Sequence, residues 1–423
     1  MTDQTTLTTL PHPALGGAAL PDGWEIRDLR DCGKWLSGGT PSRSNPDYWR
    51  GDIPWVSAKS MTSFAIDDAE EYVTEEGAQN GTRLVPEDTL LFVVRGMSLA
   101  KEFRVGLTTQ TVAFNQDLKA LRPAADVDPL YLALALTAAE GRVLHMVDTA
   151  SHGTAKLNTT RLGALPLLLP PLPVQQQLAE AVDTWDRAVR KLDTLIAAHE
   201  NRQRGLMQHL LPRHEPDGPR ARLAGFDSEP WIPRRVGDYC SVVMGQSPPS
   251  EGYNEVGEGL PLIQGNADLD GDRLAPKVWT RSVTKRAVIG DAIVTVRAPV
   301  GDVAWVDREV CLGRGVGALR SKTGTPRFLY HLAKTLLPQL HRLEQGSTFT
   351  AVTGGDLREV EVSVPLTSQE EAAIADVLDA GEREIRLLRQ ERAALLQQKK
   401  GLMQRLLTGR IRVPEAVPAE VSS

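Results

Sequence analysis

The chain repeats itself, and this repeat limits the available folds more than any other feature of the sequence. Residues 205–211 (GLMQHLL) recur as residues 401–407 (GLMQRLL), 196 positions later (401 − 205). At the same offset, identical residues stand at positions 179, 183, 187, 190, 192 and 198 of the first copy. The repeat therefore spans about 35 residues, which indicates an architecture in which one unit is built twice.

Each copy carries apolar residues in alternating steps of four and three, from Leu178 to Leu210 and from Ile374 to Leu406. This heptad spacing predicts two helices, each about 55–60 Å long at 1.5 Å per residue. Because one globular core cannot cover such a helix, we expect the two helices to lie antiparallel and to cover each other. Four polar residues interrupt the seams, and they either fix the register or merely interrupt an ordinary core helix: His199, Gln203, Arg392 and Lys399.

A globular segment precedes each helix. The openings of the two segments, residues 24–29 (WEIRDL) and 231–236 (WIPRRV), are 207 positions apart (231 − 24), so the second segment is about 11 residues shorter than the first. Short β-branched runs at residues 89–94, 292–296, 309–312 and 316–319 predict strands. Residues 129–146 and 326–343 are predicted to form amphipathic helices after those strands.

The predicted fold class is α+β, with an internal pseudo-repeat. Two α/β domains with curved, mostly antiparallel sheets are separated by two long antiparallel coiled-coil helices. The predicted segments are a flexible N-terminal tail (1–23), the first domain (24–171), the first helix (172–213), a connector (214–230), the second domain (231–365), the second helix (366–409) and a C-terminal tail (410–423).

Composition restricts the functional class. No apolar run reaches the roughly 20 residues that a membrane helix needs, and the N-terminal segment lacks the pattern of a signal peptide. Three scattered cysteines provide neither a disulfide framework nor a metal knuckle, so we expect a cytoplasmic protein. The net charge of −6 is unfavourable for unaided binding to nucleic acid, because phosphate neutralisation dominates such affinity.

Motifs for catalysis are missing from the sequence. There is no Walker loop, and the Pro-Pro pairs lack the flanking residues of an amino-methyltransferase motif. A nuclease site combining Asp47 with Asp117 and Lys119 is conceivable, but the pattern is loose and the second half has no counterpart. The histidines are spaced too irregularly for zinc. We therefore predict no catalytic residue, no metal site and no cofactor.

Several short motifs occur in a fixed order within the repeat. The first half contains GGTPS (38–42), YW (48–49), IPWVS (53–57) and NQDLK (115–119), and the second contains GQSPPS (245–250), VRAPVG (296–301) and GRGV (313–316), followed by LTGR (407–410). With these motifs, nearly everything from Trp24 to Val413 resembles the specificity (S) subunit of a type I restriction–modification system.

The resemblance implies a non-catalytic DNA-binding subunit that acts in phage defence. Each domain would read one half of a bipartite, asymmetric target in double-stranded DNA. The helices would set the spacer and dock methyltransferase (M) subunits, and motor-nuclease (R) subunits would join for cleavage. Partner subunits would share the phosphate contacts, which would answer the charge objection. A coiled-coil adaptor that binds protein instead of DNA is the main alternative, and a metal-dependent nuclease is the second.

Base reading favours Arg, Lys, Asn, Gln, Ser and Thr on loops that project from a rigid sheet. By this criterion the DNA-binding candidates are Lys59, Arg95, Lys101, Arg104, His152, Thr154 and Lys156 in the first domain, and Gln264, Asn266, Lys285, Arg286, Arg297, Arg314, Thr348 and Thr350 in the second. Gly39, Pro41, Gly245 and Pro248 are expected to form turns rather than contacts.

Overall fold

The chain divides into two units in the computed structural model, which describes residues 20–149, 154–212, 219, 221–226, 230–322, 324–336 and 351–409. Among these residues, unit 1 comprises 20–191 together with 393–409, and unit 2 comprises 192–392. Each unit therefore contains one globular segment and a part of both repeated helices.

Unit 1 begins with a mixed α/β segment. Its elements in chain order are β1 (Glu25–Asp28), β2 (Gly33–Ser37), β3 (Ile53–Val56), β4 (Ala65–Ile66), β5 (Tyr72–Val73), α1 (Glu75–Gly81), β6 (Leu84–Val85), β7 (Leu90–Val93), β8 (Arg95–Gly96), β9 (Val105–Thr108), β10 (Val112–Phe114), β11 (Leu118–Pro123), α2 (Pro129–Ala138), α3 (Glu140–Leu144), β12 (Val147–Thr149), β13 (Ala155–Leu157), α4 (Thr159–Gly163), β14 (Pro166–Leu169) and α5 (Leu172–Leu210).

The sheets of unit 1 are mostly antiparallel, as predicted. One sheet has the order β2-β11-β7-β9-β4 and a second has the order β5-β3-β10-β6, while β12-β13-β8 and β1-β14 form smaller sheets. The pairs β3–β10 and β4–β9 are parallel. All four residues of β7 are buried, because this strand lies in the interior of its sheet and the core covers it.

Unit 2 contains a second segment of the same kind. Its elements are β15 (Trp231–Arg235), α6 (Val236–Tyr239), β16 (Cys240–Met244), β17 (Tyr253–Asn254), β18 (Leu260–Ile263), β19 (Leu269–Asp270), β20 (Arg273–Leu274), β21 (Val278–Thr280), β22 (Arg286–Ala287), β23 (Ala292–Thr295), β24 (Val303–Trp305), β25 (Val310–Leu312), β26 (Val316–Ser321), α7 (Pro326–Lys334), α8 (Gly354–Glu359), β27 (Glu361–Pro365) and α9 (Ser368–Leu406).

The two units share one strand topology. The order β16-β26-β23-β24 corresponds to β2-β11-β7-β9, and β21-β18-β25-β22 corresponds to β5-β3-β10-β6, including the parallel pair β18–β25. Equivalent strands are 207 residues apart at β2/β16 (240 − 33), 202 at β7/β23 (292 − 90) and 198 at β11/β26 (316 − 118). The length difference is therefore spread over several loops, and the repeat extends through the globular segments.

The heptad prediction is confirmed within each unit. Every predicted seam position of α5 and α9 is buried or half-buried. In unit 1, Leu178 and Val182 belong to the same core cluster as Leu406, and Lys399 pairs with Asp186. The numbers rise along one helix while they fall along the other, so these segments are antiparallel.

The parts of α5 and α9 in unit 2 are antiparallel as well. Arg392 pairs with Asp193, and His199 Nδ1 lies 3.0 Å from Glu384 Oε2. Gln203 is buried and its Nε2 donates to the carbonyl of Leu378 at 2.9 Å. All four polar residues of the seams therefore contact the opposite helix, which favours a role in register.

One helix prediction is wrong and the other is confirmed over the described residues. Residues 129–146 do not form one amphipathic helix: α2 ends at Ala138, and Tyr131–Leu136 are all buried. The second predicted helix forms as α7 over Pro326–Lys334, and its buried residues, Phe328–Ala333, are covered by sheet strands and by α9. The part of the second prediction that covers residues 337–343 lies outside the described residues.

One residue of the connector, Arg222, is held by an ion pair with α9. Arg222 donates from Nε to Glu370 Oε1 at 2.6 Å, and Trp231 Nε1 donates to the same oxygen at 3.1 Å. Glu370 is fully buried, so the pair compensates a charge that would otherwise be costly in the core. The connector therefore contacts the first turn of α9 at Arg222.

Candidate nucleic-acid interface

A three-residue loop between β10 and β11 lies at the end of both main sheets of unit 1. The N–H of Asn115 donates to the carbonyl of Val56 at 2.9 Å, and the N–H of Val94 donates to the carbonyl of Asp117 at 2.8 Å. The loop is thus held between the ends of β3 and β7. Gln116, its middle residue, is exposed and its Oε1 accepts a hydrogen bond of 2.6 Å from the hydroxyl of Thr40.

Unit 2 contains the same loop at residues 313–315, between β25 and β26. The N–H of Gly313 donates to the carbonyl of Ile263 at 2.8 Å, and the N–H of Val296 donates to the carbonyl of Gly315 at 2.9 Å. Arg314, the middle residue, is exposed. A Cβ at position 315 would lie 2.0 Å from the carbonyl oxygen of Gln264, so glycine is required there.

Gly39 and Gly245, which were expected to form turns, lie instead in close backbone contacts beside the loops. A Cβ at Gly39 would lie 2.2 Å from the carbonyl oxygen of Gly81, and one at Gly245 would lie 2.0 Å from that of Gly313. In unit 1, Trp55 Nε1 also donates to the carbonyl of Gly39 at 3.1 Å. The glycine loop and the Trp-containing strand of the motif set are therefore in direct contact.

Two predicted arginines occupy equivalent positions beside the loops. Val94 and Val296, the residues just before Arg95 and Arg297, each accept a 2.9 Å hydrogen bond at the backbone carbonyl. The donor is the N–H of Leu157 in unit 1 and the N–H of Val352 in unit 2. Both arginines are exposed, and neither forms a side-chain hydrogen bond or ion pair with the described residues. Lys156 lies opposite Arg95 in the β8–β13 pair, so unit 1 has a second exposed cation there.

A second pair of cations lies on the other side of the loops. Lys285 is exposed, and its carbonyl accepts from the N–H of Leu312, just before the unit 2 loop, at 2.8 Å. Arg83 is its equivalent in unit 1, because both stand immediately before the strand that pairs with β10 or β25. The preceding Thr82 donates its hydroxyl to the carbonyl of Phe114 at 2.7 Å.

Sequence reasoning missed Arg83 and Gln116. Only the strand pairing reveals that Arg83 matches Lys285 and that Gln116 matches Arg314, since the offset in this region has changed from 207 to 202 and then to 198. An alignment of the two halves strand by strand, instead of at one fixed offset, would have paired Arg83 with Lys285 and Gln116 with Arg314.

Several other candidates lie near these loops or on their margins. Gln264 and Asn266 are exposed beside the 313–315 loop, and Lys101 and Thr154 are exposed near the β8–β13 pair. Arg286 lies 3.8 Å from Glu309. The candidates His152, Thr348 and Thr350 lie outside the described residues.

Two candidates are occupied by internal contacts. Lys59 Nζ lies 2.8 Å from Glu70, and this hydrogen bond raises the pKa of the lysine. Arg104 is half-buried and contacts Glu102 together with the carbonyls of Ala58 and Met61. Both cations would have to exchange these partners before contacting a phosphate.

One cluster in unit 2 has the side chains of a metal site. His331, Asp379 and Glu382 group their ligand atoms within 4.8 Å, and no other such cluster of three occurs among the described residues. Arg327 pairs with both carboxylates, however, and Lys334 Nζ lies 2.6 Å from Glu382. Because protein cations already compensate the carboxylates, the cluster is better described as an ion-pair network. It contains neither aspartate of the nuclease hypothesis.

The network also controls one pKa. Burial disfavours the charged form of Asp379, but hydrogen bonds from His331 and Arg327 outweigh it and lower the pKa of the carboxyl to about 2. The cysteines behave differently: burial raises the pKa of Cys32 to about 11 and that of Cys240 to about 12, so these thiols stay protonated.

None of the helices among the described residues combines the length and apolar character needed to cross a bilayer.

Comparison with known proteins relates both halves of the chain to one protein family. Residues 21–198 and 228–397 match the family model described as the type I restriction modification DNA specificity domain. A putative type I restriction enzyme MjaX specificity subunit from Methanocaldococcus jannaschii is 28% identical over 406 residues, covering 93% of this chain and 95% of that protein. The EcoR124I/EcoR124II specificity subunit of Escherichia coli is 30% identical over 164 residues, covering 38% of this chain and 41% of that protein.

Solved structures share the fold. The type I restriction–modification S subunit from M. genitalium aligns with a TM-score of 0.59 at 13% identity, covering 92% of this chain and 98% of that one. A chain from work on complex assembly and conformational transition of the type I system aligns with a TM-score of 0.59 at 23% identity, covering 93% of this chain and 100% of that one.

Proposed function

The chain belongs to the family of type I restriction–modification DNA specificity domains and is a specificity subunit with two target-recognition domains, and we propose that each domain reads one half of a bipartite, asymmetric DNA target. The recognition domains are residues 24–171 and 231–365. The segments 172–213 and 366–409, which contain α5 and α9, set the spacer between the half-sites and dock methyltransferase subunits.

One observation carries this proposal. The two units present equivalent loops at equivalent strand ends, but the exposed middle residue is Gln116 in one unit and Arg314 in the other. Two unlike readers fit two unlike half-sites, whereas a palindromic target would need equivalent readers. Exposed cations beside each loop supply the positive charge that a phosphate backbone attracts.

Partner subunits complete the activity in this proposal. The chain itself is non-catalytic, and methyl transfer and cleavage belong to methyltransferase and motor-nuclease subunits. These partners share the phosphate contacts, which reconciles DNA binding with a net charge of −6. In support, a chain with the same fold comes from work on assembly of the type I system.

Replacing residues 24–171 with the corresponding segment of another family member tests the proposal. We expect one half of the methylated sequence to change and the other half and the spacer to stay, because the second domain and both helices are kept. The measurement is single-molecule sequencing of methylated bases in cells carrying the parent or the chimaera with the same methyltransferase subunits.

The reciprocal replacement of residues 231–365 serves as the matched control, and it should change the other half only. A change in both halves from either replacement would contradict the division of labour. Absence of DNA binding by the assembled parent complex, in a gel shift at stated salt, would favour the protein adaptor instead.

A further inference from the structure

The internal repeat separates what the two recognition domains have in common from what distinguishes them. If the two half-sites differ, as the proposed function holds, their bases differ while their phosphate backbones are chemically alike. Side chains that agree at equivalent positions should therefore contact phosphates, which position the protein but carry no sequence information. Side chains that differ at equivalent positions are the candidates for base reading.

The cations on either side of the loops agree between the units. Arg95 matches Arg297, and Arg83 matches Lys285. All four are exposed, and none has a side-chain partner among the described residues. Each unit thus places two available cations beside its three-residue loop in the same backbone setting.

The loop between the cations differs at every position, being Asn-Gln-Asp in unit 1 and Gly-Arg-Gly in unit 2. Its backbone is nevertheless held alike, by N–H donation to the end of β3 or β18 and by acceptance from the end of β7 or β23. The shared hydrogen bonds hold the middle residue in the same setting in both units. What changes is the chemistry of that residue, Gln116 or Arg314.

Glutamine and arginine read different bases. A glutamine amide pairs with N6 and N7 of adenine, and a guanidinium pairs with O6 and N7 of guanine. The hydroxyl of Thr40 donates to Gln116 Oε1, and this hydrogen bond fixes the orientation of the amide. Nε2 can still donate, and the second lone pair of Oε1 can still accept. We propose that Gln116 contacts an adenine in one half-site and Arg314 a guanine in the other, while Arg83, Arg95, Lys285 and Arg297 contact phosphates.

The first test uses the full chain assembled with its methyltransferase subunits and replaces Gln116 or Arg314 by alanine. We expect Gln116→Ala to make one adenine position degenerate in the half-site assigned to the first domain. Arg314→Ala should make one guanine position degenerate in the other half-site. Discrimination at the affected position should fall about 5- to 150-fold, measured from the methylated motif and from binding of duplexes changed at that base pair.

The second test replaces Arg95 or Arg297 by alanine in the same complex. We expect weaker binding to every duplex, an unchanged methylated motif, and a slope of log K against log salt that is smaller by about 0.9 per lost phosphate contact. Arg308→Ala is the matched control, because Arg308 is exposed, pairs with Asp307, and lies at the opposite end of β25 from the loop. It should leave affinity, motif and slope unchanged.

Thermal unfolding and assembly with methyltransferase subunits identify any variant that fails to fold, and Gln116→Glu and Arg314→Gln then replace the alanine variants at the same exposed positions. An unchanged motif in a folded loop variant, or a base position lost in Arg95→Ala or Arg297→Ala, would overturn the assignment. Either result would leave the proposed function unaffected, provided that the methylated motif remains bipartite. Failure of the parent complex to bind or methylate DNA would instead reject the proposed function itself.

Discussion

At the residue scale, half-buried ion pairs couple the globular part of unit 2 to α9. His331 and Arg327 on α7 contact Asp379 on α9, and Lys334 contacts Glu382 one turn further along. In the sequence these residues are about 50 positions apart and show no spacing typical of a site. His331, one of the histidines that are spaced too irregularly for zinc, is therefore part of a structural network.

This network predicts a specific pH dependence. The pKa of Asp379 is about 2 in the folded protein, below its usual 3.8, so its contribution to stability is complete above about pH 4 and is lost as the pH falls towards 2. Asp379→Asn should lower the free energy of unfolding of unit 2 by about 2 kcal/mol at pH 7. The difference from the parent should shrink between pH 4 and pH 2, measured by urea unfolding with hydrogen exchange of the α7 amides.

Asp376→Asn is the matched control for this prediction. Asp376 is exposed on the same helix and has no ion pair or side-chain hydrogen bond among the described residues. Its substitution should change stability by less than about 0.5 kcal/mol at any pH. Equal effects of the two substitutions would show that general helix charge, and not the network, determines the difference.

At the element scale, the long helices combine an apolar seam with a few polar contacts. Gln203 reaches across the seam to the backbone of Leu378, and it lies directly over Gly381. Glycine is a poor helix former, and a buried amide is costly unless it is hydrogen-bonded. Their combination here is explained by close packing between the two helices, which periodicity alone does not reveal.

The Gln203–Gly381 contact predicts opposite results for two glycine substitutions in one helix. A Cβ at Gly381 would lie 2.1 Å from Gln203 Oε1, whereas a Cβ at Gly401 would meet nothing within 4 Å. Gly401→Ala should raise the melting temperature, since alanine favours helix over glycine by about 1 kcal/mol. Gly381→Ala should lower it, because the displaced amide loses its hydrogen bond to Leu378.

A double substitution isolates the cause. In a Gln203→Ala background the clash is removed, so Gly381→Ala should become stabilising like Gly401→Ala. The interaction energy from the resulting double-mutant cycle should be about 1–3 kcal/mol. Additive effects in differential scanning calorimetry would mean that Gln203 is not the residue that requires a glycine at position 381.

At the scale of the whole molecule, two copies of one fold carry different loops on a common scaffold. The helices keep an offset of 196, while the globular segments change from 207 to 198 as loops shorten. Length changes are thus concentrated in the loops, where DNA recognition is proposed. Constant helices are what a fixed spacer would require.

Lengthening both helices tests this role. Four residues inserted after Leu192 and after Arg392 add about 6 Å, and seven residues, a full heptad, add about 10.5 Å. If the helices set the spacer, the methylated motif should gain one to two base pairs in the first case and about three in the second, at 3.4 Å per base pair. Motif sequencing in cells gives the result.

The seven-residue insertion is the stricter version because it preserves the seam on both helices. Inserting seven residues into α5 alone displaces the contacts between the helices on one side of the insertion by a heptad, and it should abolish methylation rather than lengthen the spacer. An unchanged spacer in the matched double insertion would show that something other than the helices sets the distance.

The features that depend on local periodicity and self-similarity could be predicted from the order of the amino acids alone. Heptad spacing predicted the antiparallel helices and their seam positions, and the repeat predicted two α+β segments with largely antiparallel sheets. Several loop cations, among them Arg95, Lys285 and Arg297, were identified because their residue types suit phosphate or base contacts. The single amphipathic helix predicted over residues 129–146 was wrong, since the burial of α2 on several sides depends on what packs against it. The helix predicted to start at residue 326 is confirmed over Pro326–Lys334.

Which loop residues lie together could be established only from the folded chain. The match between Gln116 and Arg314, and between Arg83 and Lys285, follows from strand pairing between segments that are distant in sequence. The same holds for the Asp379 network and for Gly381. Such contacts are set by register across sheets and helices, and a one-dimensional pattern contains the period of an element but not the identity of its neighbour.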